Sequence, residues 1–484
     1  MVPGLLLAVA SMRPLRRSSR LSRSARRHRS LNPEANVRRL LILCAVAALG
    51  QTACGENVDI GLPEHDATST SEQLLQLARS GQLGHPLPGT NPAAFARATE
   101  QFTRSRTIED GLGPTFNETA CANCHQSPVV GGAGSQSVRR FGRVVDGLFF
   151  GFDSDEENQG GTVLQAFSNG TYLNGATTCH IPTDVLPAEA DVVAARRTPP
   201  LFGLGLIDSL PDFHFDAVAA SQPTAIRGVV QRVPVTLPDP RSPTQAVGSQ
   251  RVGRFGWKGL VPSLLMFAAD ELDIEMGITT QSCFKGTSIK EFSIENHPNN
   301  AAPPPGCNGG DLAPPQDPEF VDGAVGDCSG NRTEIQQDVL QLTSFVERLA
   351  PPPPRITDLV GFVRGAVPFA RLCGDCHDDR ARTTVIQPGI TIVFFPFSDF
   401  LAHDMGTLGD RITQSGQGTS EARLMRTTPL WGARFNTSFL HDGRAHSVRE
   451  AILLHDGQGA HARDGFLDLH PARQADLLTF VLSL

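Results

Sequence analysis

The clearest hydrophobic pattern in the chain predicts an amphipathic helix from Thr333 to Ala350. Its apolar positions recur every three or four residues and share one face: Ile335, Val339, Leu342, Phe345, Val346 and Leu349. This is the 3.6-residue period of an α-helix that buries one side. The four prolines from Pro351 to Pro354 cannot continue a helix, so they predict a domain boundary after residue 350.

Other segments predict further helices, with loops and short strands between them. Residues 365–373 and Pro471 to Leu484 show helical spacing, and an apolar segment runs from Gly253 to Gly277. Residues 129–170 are Gly-rich and alternate apolar with polar positions, which indicates loops and short strands. The pattern predicts a mainly α protein with a large insertion of loops and short strands between residues 126 and 330.

The N-terminal segment has the pattern of an export signal. Arg38 and Arg39 precede an apolar run, Leu40 to Leu49, that is too short to span a bilayer. Residues 1–37 predict either a transit-like extension or translation that begins at Val37. Residues 53–55 resemble a lipoprotein cleavage site, so lipid anchoring at Cys54 and simple cleavage nearby both fit. We expect residues 1–53 to be an extension and signal peptide, and the protein to reside in the periplasm or outer cell envelope.

Charge is segregated along the chain. Residues 1–39 hold ten Arg and one Glu, and residues 40–53 carry no charge. The remaining chain therefore has 32 Lys+Arg against 49 Asp+Glu, a net charge of −17. An acidic chain argues against binding to nucleic acid. The charge suits a basic redox partner, although a plainly soluble surface is the commoner explanation.

Two short motifs carry the chemistry. Residues 121–125 read C-A-N-C-H and residues 373–377 read C-G-D-C-H, which is the attachment signature of a c-type haem. Two thiols add to the haem vinyl groups, and the adjacent imidazole reaches the iron. A zinc site would need both motifs to converge, and a redox dithiol would not explain the repeated histidine. The predicted haem-binding residues are Cys121, Cys124, His125, Cys373, Cys376 and His377.

Four further cysteines in an exported chain predict disulfide bonds. They are Cys179, Cys283, Cys307 and Cys328. Of the three connectivities, one that pairs Cys283 with Cys307 is our first choice.

A second string also occurs twice. Arg197 begins R-T-P-P-L-F-G and Arg426 begins R-T-T-P-L-W-G, each C-terminal to its own haem motif. Since motif and string recur in the same order, the sequence predicts a duplicated haem domain. We expect two cytochrome-c-like domains, an N-terminal one over residues 54–350 with insertions and a C-terminal one over residues 351–484.

These strings resemble the di-haem oxidoreductase (putative peroxidase) family. The resemblance rests on residues 110–117 before the first haem motif, the Thr198–Asp208 string, Gly253–Lys258 and Met276–Thr279. Residues 429–452 are similar to the wider di-haem cytochrome c peroxidase superfamily, which includes methylamine-dehydrogenase maturation enzymes. The resemblance covers roughly residues 95–484.

The resemblance implies a division of labour between two haems. The N-terminal haem would reduce hydrogen peroxide or another small oxidant, and the C-terminal haem would collect electrons from a small cytochrome c or a cupredoxin. It also implies that His441 opens a haem-pocket motif and that the residue fourteen positions later, His455, is the distal iron ligand. Superfamily members place Met or Tyr there, so a pair of histidines, His377 and His455, departs from the pattern. Calcium between the domains is a further implied ligand.

The remaining site candidates are less specific. Asp208 and Asp212 are the predicted acid/base residues at the first haem, with Lys258 and Glu275 as further options; all four also fit structural roles. His403 and Met405 are alternative ligands of the second iron, although His403 packing against a carboxylate or the haem edge is favoured. Trp257 or Trp431 could carry electrons, but a buried core Trp is commoner. A peroxidase is the leading prediction, followed by a dioxygen-using oxidase or oxygenase and a non-catalytic di-haem electron carrier.

Overall fold

The computed structural model describes residues 83–152, 162–239, 246–278, 280–284, 287–292 and 334–484. The predicted signal segment, Cys54 and the cysteines at 307 and 328 lie outside these residues, as does the side chain of Cys283. The predicted pairing of Cys283 with Cys307 therefore stays a prediction, whereas Cys179 is disulfide-bonded. None of the described helices is long and apolar enough to cross a membrane.

Several of the described helices begin at a residue whose side chain caps them. The side chain of Asp358 accepts a hydrogen bond from the amide of Gly361, and Ser263 accepts one from the amide of Met266. In chain order the helices are α1 (Pro92–Thr103), α2 (Cys121–Cys124), α3 (Leu204–Asp208), α4 (Asp212–Ser221), α5 (Leu264–Met276), α6 (Gln337–Arg348), α7 (Leu359–Leu372), α8 (Thr419–Ala422), α9 (Val448–Leu453), α10 (Ala460–Leu467) and α11 (Pro471–Ser483).

Strands form a substantial part of the described chain beside the helices. In chain order they are β1 (Thr115–Phe116), β2 (Ser137–Val145), β3 (Leu148–Phe150), β4 (Thr162–Leu164), β5 (Phe167–Ser168), β6 (Gly170–Asn174), β7 (Thr177–Ile181), β8 (Val192–Arg197), β9 (Arg232–Pro234), β10 (Gln250–Val252), β11 (Thr280–Phe284), β12 (Thr287–Phe292), β13 (Glu334–Ile335), β14 (Arg382–Gln387), β15 (Ile390–Phe394), β16 (Ala402–Asp404) and β17 (Leu424–Arg426).

The strands form several small antiparallel sheets, so the prediction of a mainly α fold is wrong and the protein is mixed α/β. The largest sheet in the described chain has four strands: β2 pairs with β3, β4 and β8. Two sheets, β14 with β15 and β16 with β17, lie in the C-terminal segment, which we predicted to be a cytochrome-c-like domain. β14 and β15 form a hairpin, whereas β2 with β8 and β16 with β17 pair across segments far apart in the sequence, which a local period cannot indicate.

The N-terminal and C-terminal segments share one core. A buried apolar cluster joins Leu206 and Phe215 to Phe394, Leu401 and Trp431 from beyond residue 350. A second cluster packs α1, α5 and α6 together. Two helix crossings are very close: a Cβ at Gly205 would lie 1.9 Å from the carbonyl oxygen of Glu347, and one at Gly365 would lie 2.0 Å from that of Asp476. These crossings need glycine because no side chain fits between the backbones.

Trp257 lies between the two repeated strings. Its indole Nε1 donates a hydrogen bond to the carbonyl oxygen of Arg197 at 3.0 Å. Its own carbonyl oxygen accepts the backbone amide of Arg426 at 2.8 Å. The two strings predicted to be duplicates are therefore held on either side of one residue.

Candidate functional site

The first C-x-x-C-H motif forms α2 and the residue that follows it. The amide of His125 donates to the carbonyl of Cys121 at 3.0 Å, which closes the helical turn. Nδ1 of His125 is hydrogen-bonded to the carbonyl oxygen of Gly132 at 3.3 Å. Because a donor bond from Nδ1 fixes the tautomer, Nε2 is the nitrogen left for a metal ion. Burial lowers the pKa of His125 to about 4, so the imidazole is neutral, as a ligand must be.

The motif cysteines are free thiols in both copies. Burial raises the pKa of Cys121, Cys124 and Cys373 to about 12. A catalytic C-x-x-C dithiol has a lowered thiol pKa instead. Among the described residues, one group of His, Cys and carboxylate side chains has metal-binding spacing, namely Cys376, Asp399 and His403, and it draws on a single motif. The two motifs therefore do not converge on one zinc ion.

A cavity of about 270 Å³ adjoins the first motif. Cys121, Cys124 and His125 form part of its wall, and α5 forms another part. Most of the wall is apolar, including Phe255, Leu264 and Phe267. Eight Lys, Arg and Glu side chains interrupt the apolar wall: Glu118, Arg140, Arg196, Arg197, Lys258, Glu271, Glu275 and Arg426.

Three carboxyl groups line this cavity, and the two on α5 form a candidate acid/base pair. Glu271 and Glu275 are one helical turn apart, so they share a face. Burial raises the pKa of Glu271 to about 8, and the charge of Glu275 adds to that rise. Burial raises the pKa of Glu275 to about 7, opposed by Arg140 and by a 2.8 Å hydrogen bond from Nδ2 of Asn117. Near neutral pH the pair holds both a proton and a negative charge.

The predicted acid/base residues Asp208 and Asp212 do not line this cavity. Asp212 instead accepts two hydrogen bonds from Arg251 at 2.9 Å and one from the amide of Val252 at 3.0 Å, and it also pairs with Arg254. Asp208 contributes its charge and its carbonyl oxygen to the buried side chain of Arg254. The geometry favours Glu275, one of the further options from the sequence, and Glu271, which sequence reasoning missed. Its signal was the spacing of Glu271 and Glu275 at i and i+4, in a helix that also carries Asp270 and Asp273.

The second motif faces a histidine from the far end of the chain. Nδ1 of His377 is hydrogen-bonded to the carbonyl oxygen of Phe397 at 3.1 Å, and Nδ1 of His455 to that of Ala451 at 2.6 Å. Burial lowers the pKa of His377 to about 4, and the nearby His455 lowers it further. Burial lowers the pKa of His455 as well. Two neutral imidazoles with their Nδ1 atoms engaged therefore lie close enough to interact.

His403 is engaged by protein groups rather than directed at His377. Its Nε2 lies 2.8 Å from Oδ2 of Asp399 and its Nδ1 lies 3.7 Å from Sγ of Cys376. Burial lowers the pKa of His403, but bonds to Asp399 and Cys376 raise it to about 10 overall. Nε2 of Gln222 also donates to Oδ2 of Asp399 at 2.7 Å. Met405 lies on the His455 side: a Cβ at Gly459 would be 3.1 Å from both Cε of Met405 and Cδ2 of His455.

His441 and Lys258 belong to the boundary between the N-terminal and C-terminal segments. The ring of His441, 5% exposed, meets the edge of Trp257 with ring centroids 6.4 Å apart. Nζ of Lys258 lies 3.3 Å from Oδ1 of Asp410, whose Oδ2 accepts Nε of Arg196 at 2.8 Å. Burial lowers the pKa of Lys258 to about 8, whereas Arg196 and Lys258 hold the pKa of Asp410 far below its usual range. Ion pairs within this buried cluster link the N-terminal segment to the C-terminal one.

The residues present fit two haems. Each motif offers two free thiols and one neutral imidazole, the first adjoins a cavity, and the second is faced by a further imidazole. No curated protein matches the chain. Residues 176–484 match the model of the family described as "Di-haem oxidoreductase, putative peroxidase". This match spans more than half of the sequence, and the chain belongs to the di-haem oxidoreductase family.

Proposed function

We propose that the protein is an exported peroxidase that reduces hydrogen peroxide with electrons from a small cytochrome c or cupredoxin. The observation that supports this proposal most directly is the Glu271–Glu275 pair in the cavity beside His125. Family membership supports oxidoreductase chemistry, and the pair supports a reaction in which protons move between oxygen atoms.

Both haems are proposed to be attached through thioether bonds. Cys121 and Cys124 would hold the first and Cys373 and Cys376 the second, with His125 and His377 as proximal ligands. When bound, the first haem would supply the iron centre at which peroxide is reduced. The high pKa of these thiols keeps them protonated, which matches addition of S–H across a vinyl group better than thiolate redox chemistry.

The carboxyl pair would move the protons of the reaction. The ionised carboxylate accepts a proton from the incoming peroxide, and the protonated carboxyl donates one to the departing oxygen. With two electrons and two protons taken up, each peroxide yields two waters. The amide of Asn117 positions Oε2 of Glu275 for this exchange. The apolar wall around Phe255 and Leu264 excludes bulk water, which keeps the carboxyl pKa values near neutral.

The second haem would receive electrons from the donor. His377 and His455 are proposed as its two axial ligands, because each has Nδ1 bonded to a carbonyl oxygen and their rings interact. Two histidines give a lower potential than histidine with methionine. This centre would therefore pass electrons on rather than store one at high potential. The acidic surface is proposed to meet a basic donor.

Location in the periplasm or outer cell envelope, with a lipid anchor at Cys54 or simple signal cleavage, is also proposed. Its support is the apolar run behind Arg38 and Arg39.

Steady-state turnover with reduced cytochrome c and peroxide tests the proposal. Glu271→Gln and Glu275→Gln should each lower kcat/KM for peroxide by about 10²- to 10⁴-fold while leaving haem content unchanged. Asp212→Asn is the matched control: it removes a carboxylate that pairs with arginines outside the cavity, so turnover by the folded protein should stay near that of the wild type. Loss of turnover in Asp212→Asn with retention in both Glu variants would reverse the assignment. Two low-spin haems that bind neither cyanide nor peroxide in either redox state would indicate an electron carrier.

A further inference from the structure

Two arginines of the cavity wall form no salt bridge among the described residues. Arg197 is 6% exposed and Arg426 is 9% exposed, and both line the cavity beside His125. They occupy the same first position in the two repeated strings, R-T-P-P-L and R-T-T-P-L. The cavity therefore brings together a matched pair of guanidinium groups.

Their hydrogen bonds go to the backbone. Nη1 of Arg197 donates to the carbonyl oxygen of Ser438, and its Nε is buried with no hydrogen-bond partner in the described structure. Nε of Arg426 donates to the carbonyl oxygen of Gly256 at 2.6 Å, and its Nη1 donates to that of Thr427 at 3.1 Å. Several N–H groups of each guanidinium remain to be satisfied.

Two other cations of this wall have an acidic partner. Arg196 lies 2.8 Å from Oδ2 of Asp410 and Lys258 lies 3.3 Å from its Oδ1, so these two charges are paired. Burial lowers the pKa of Arg197, and it lowers that of Arg426 to about 10 although the charge of Asp399 opposes the shift. A buried charge without a counter-ion is expensive, and a ligand that brings the counter-ions removes that cost.

We propose that Arg197 and Arg426 bind the two propionate groups of the haem held at Cys121, Cys124 and His125. The charges match, since the two guanidinium groups meet two carboxylates. Arg–carboxylate bonds are charge-assisted and directional, which suits fixing the orientation of a planar ligand. This inference rests on the haem attachment proposed above but not on the peroxide chemistry.

Trp257 fixes the main chain of Arg197 and Arg426 before the ligand arrives. It bonds the carbonyl oxygen of Arg197 through Nε1 and the amide of Arg426 through its own carbonyl oxygen. The guanidinium of Arg426 also lies over the ring of Phe400, 5.5 Å from its centroid. Arg197 and Arg426 thus belong to a rigid frame, in which little side-chain entropy is lost on binding.

The test is a spectroelectrochemical titration of both haems in Arg197→Gln and Arg426→Gln between pH 5 and 8. Each change leaves a propionate without its cation, which favours the ferric form, so the midpoint potential of the first haem should fall. The freed propionate should also titrate closer to neutral pH, so that midpoint should become more pH-dependent. The midpoint potential of the second haem should not change. Arg→Lys at either position should restore part of the midpoint potential lost at the first haem.

Arg434→Gln is the matched control. Arg434 also donates to two backbone carbonyl oxygens and also has a buried Nε without a partner, but it does not line the cavity. An unchanged first midpoint in both cavity variants, or an equal shift in Arg434→Gln, would overturn the inference. The midpoint potentials can be measured in a protein that does not turn over peroxide, so this test does not depend on the proposed activity. A protein with haem at the second motif alone would overturn both the attachment and the propionate contacts.

Discussion

His377 and His455 interact across the space beside the second haem motif, with each Nδ1 bonded to a backbone carbonyl oxygen. We expect His455→Ala to convert the second haem from a six-coordinate low-spin form to a high-spin form that binds cyanide. Electron paramagnetic resonance and absorption spectra of the ferric protein measure this change.

His461→Ala is the control for that substitution. His461 is exposed on the neighbouring helix α10, so its removal should leave both spectra unchanged. A low-spin second haem in His455→Ala would indicate another ligand, and Met405, which borders the same side, would be the first candidate to replace.

The Glu271–Glu275 pair should make stability fall as pH rises through neutrality. Both pKa values are raised from 4.5, to about 8 and about 7, so the folded state keeps protons that the unfolded state has released. This contribution is fully present below pH 4.5 and is lost as pH rises through 7 and 8. Each unit of pKa difference corresponds to about 1.4 kcal/mol. Urea unfolding between pH 4.5 and 9 should show the decline in the wild type, levelling off above about pH 8, and a flatter profile in the double Gln variant. Parallel profiles would show that the carboxyls ionise normally.

Asp410→Asn should strongly destabilise the protein. The change leaves Lys258 and Arg196, both buried, without a carboxylate, and removing one partner of a buried ion pair costs about 3–5 kcal/mol. Asp404→Asn is the matched control, because its pair with Arg423 is 34% and 43% exposed and is expected to contribute about 0–1 kcal/mol. Free energies of unfolding from denaturant titration compare the two variants. Equal losses would mean that Asp410 is not held by its cations.

Gly365→Ala should destabilise the crossing of α7 and α11. In an exposed helix, alanine is more stabilising than glycine by about 1 kcal/mol. At this crossing, however, its Cβ would lie 2.0 Å from the carbonyl oxygen of Asp476. We expect a net loss of about 1–3 kcal/mol, as for other overpacked sites. Arg364→Ala, at an exposed position of the same helix, should change stability by less than about 0.5 kcal/mol. A stabilised Gly365→Ala variant, measured by thermal unfolding, would show that the two helices can separate.

Sequence reasoning worked best where one local period decides the structure. The helix predicted from Thr333 to Ala350 is observed as α6, Gln337–Arg348, and the closing helix is α11, Pro471–Ser483. The first turn of the predicted helix is lost because Ile335 pairs with Ser282 in a sheet instead. A tertiary contact there overrides the local preference.

The candidate site divides in the same way. The motif residues were predicted from their spacing and His455 from the family resemblance, whereas the acids Asp208 and Asp212 were placed by analogy with the repeat. Their surroundings depend on Arg251 and Arg254, which approach from a distant part of the chain. The cavity likewise forms from segments that no sequence period connects, so the roles of Glu271 and the two cavity arginines emerge only from the folded chain.

The charge cluster at Asp410 also has an evolutionary consequence. A gene that ends near residue 350 would encode Lys258 and Arg196 without their counter-ion, and a gene that starts there would encode Asp410 without its cations. Recombination that separates the two predicted copies would therefore leave buried charges without their partners. A predicted tandem duplication with such a cluster across it would be retained as one fused gene.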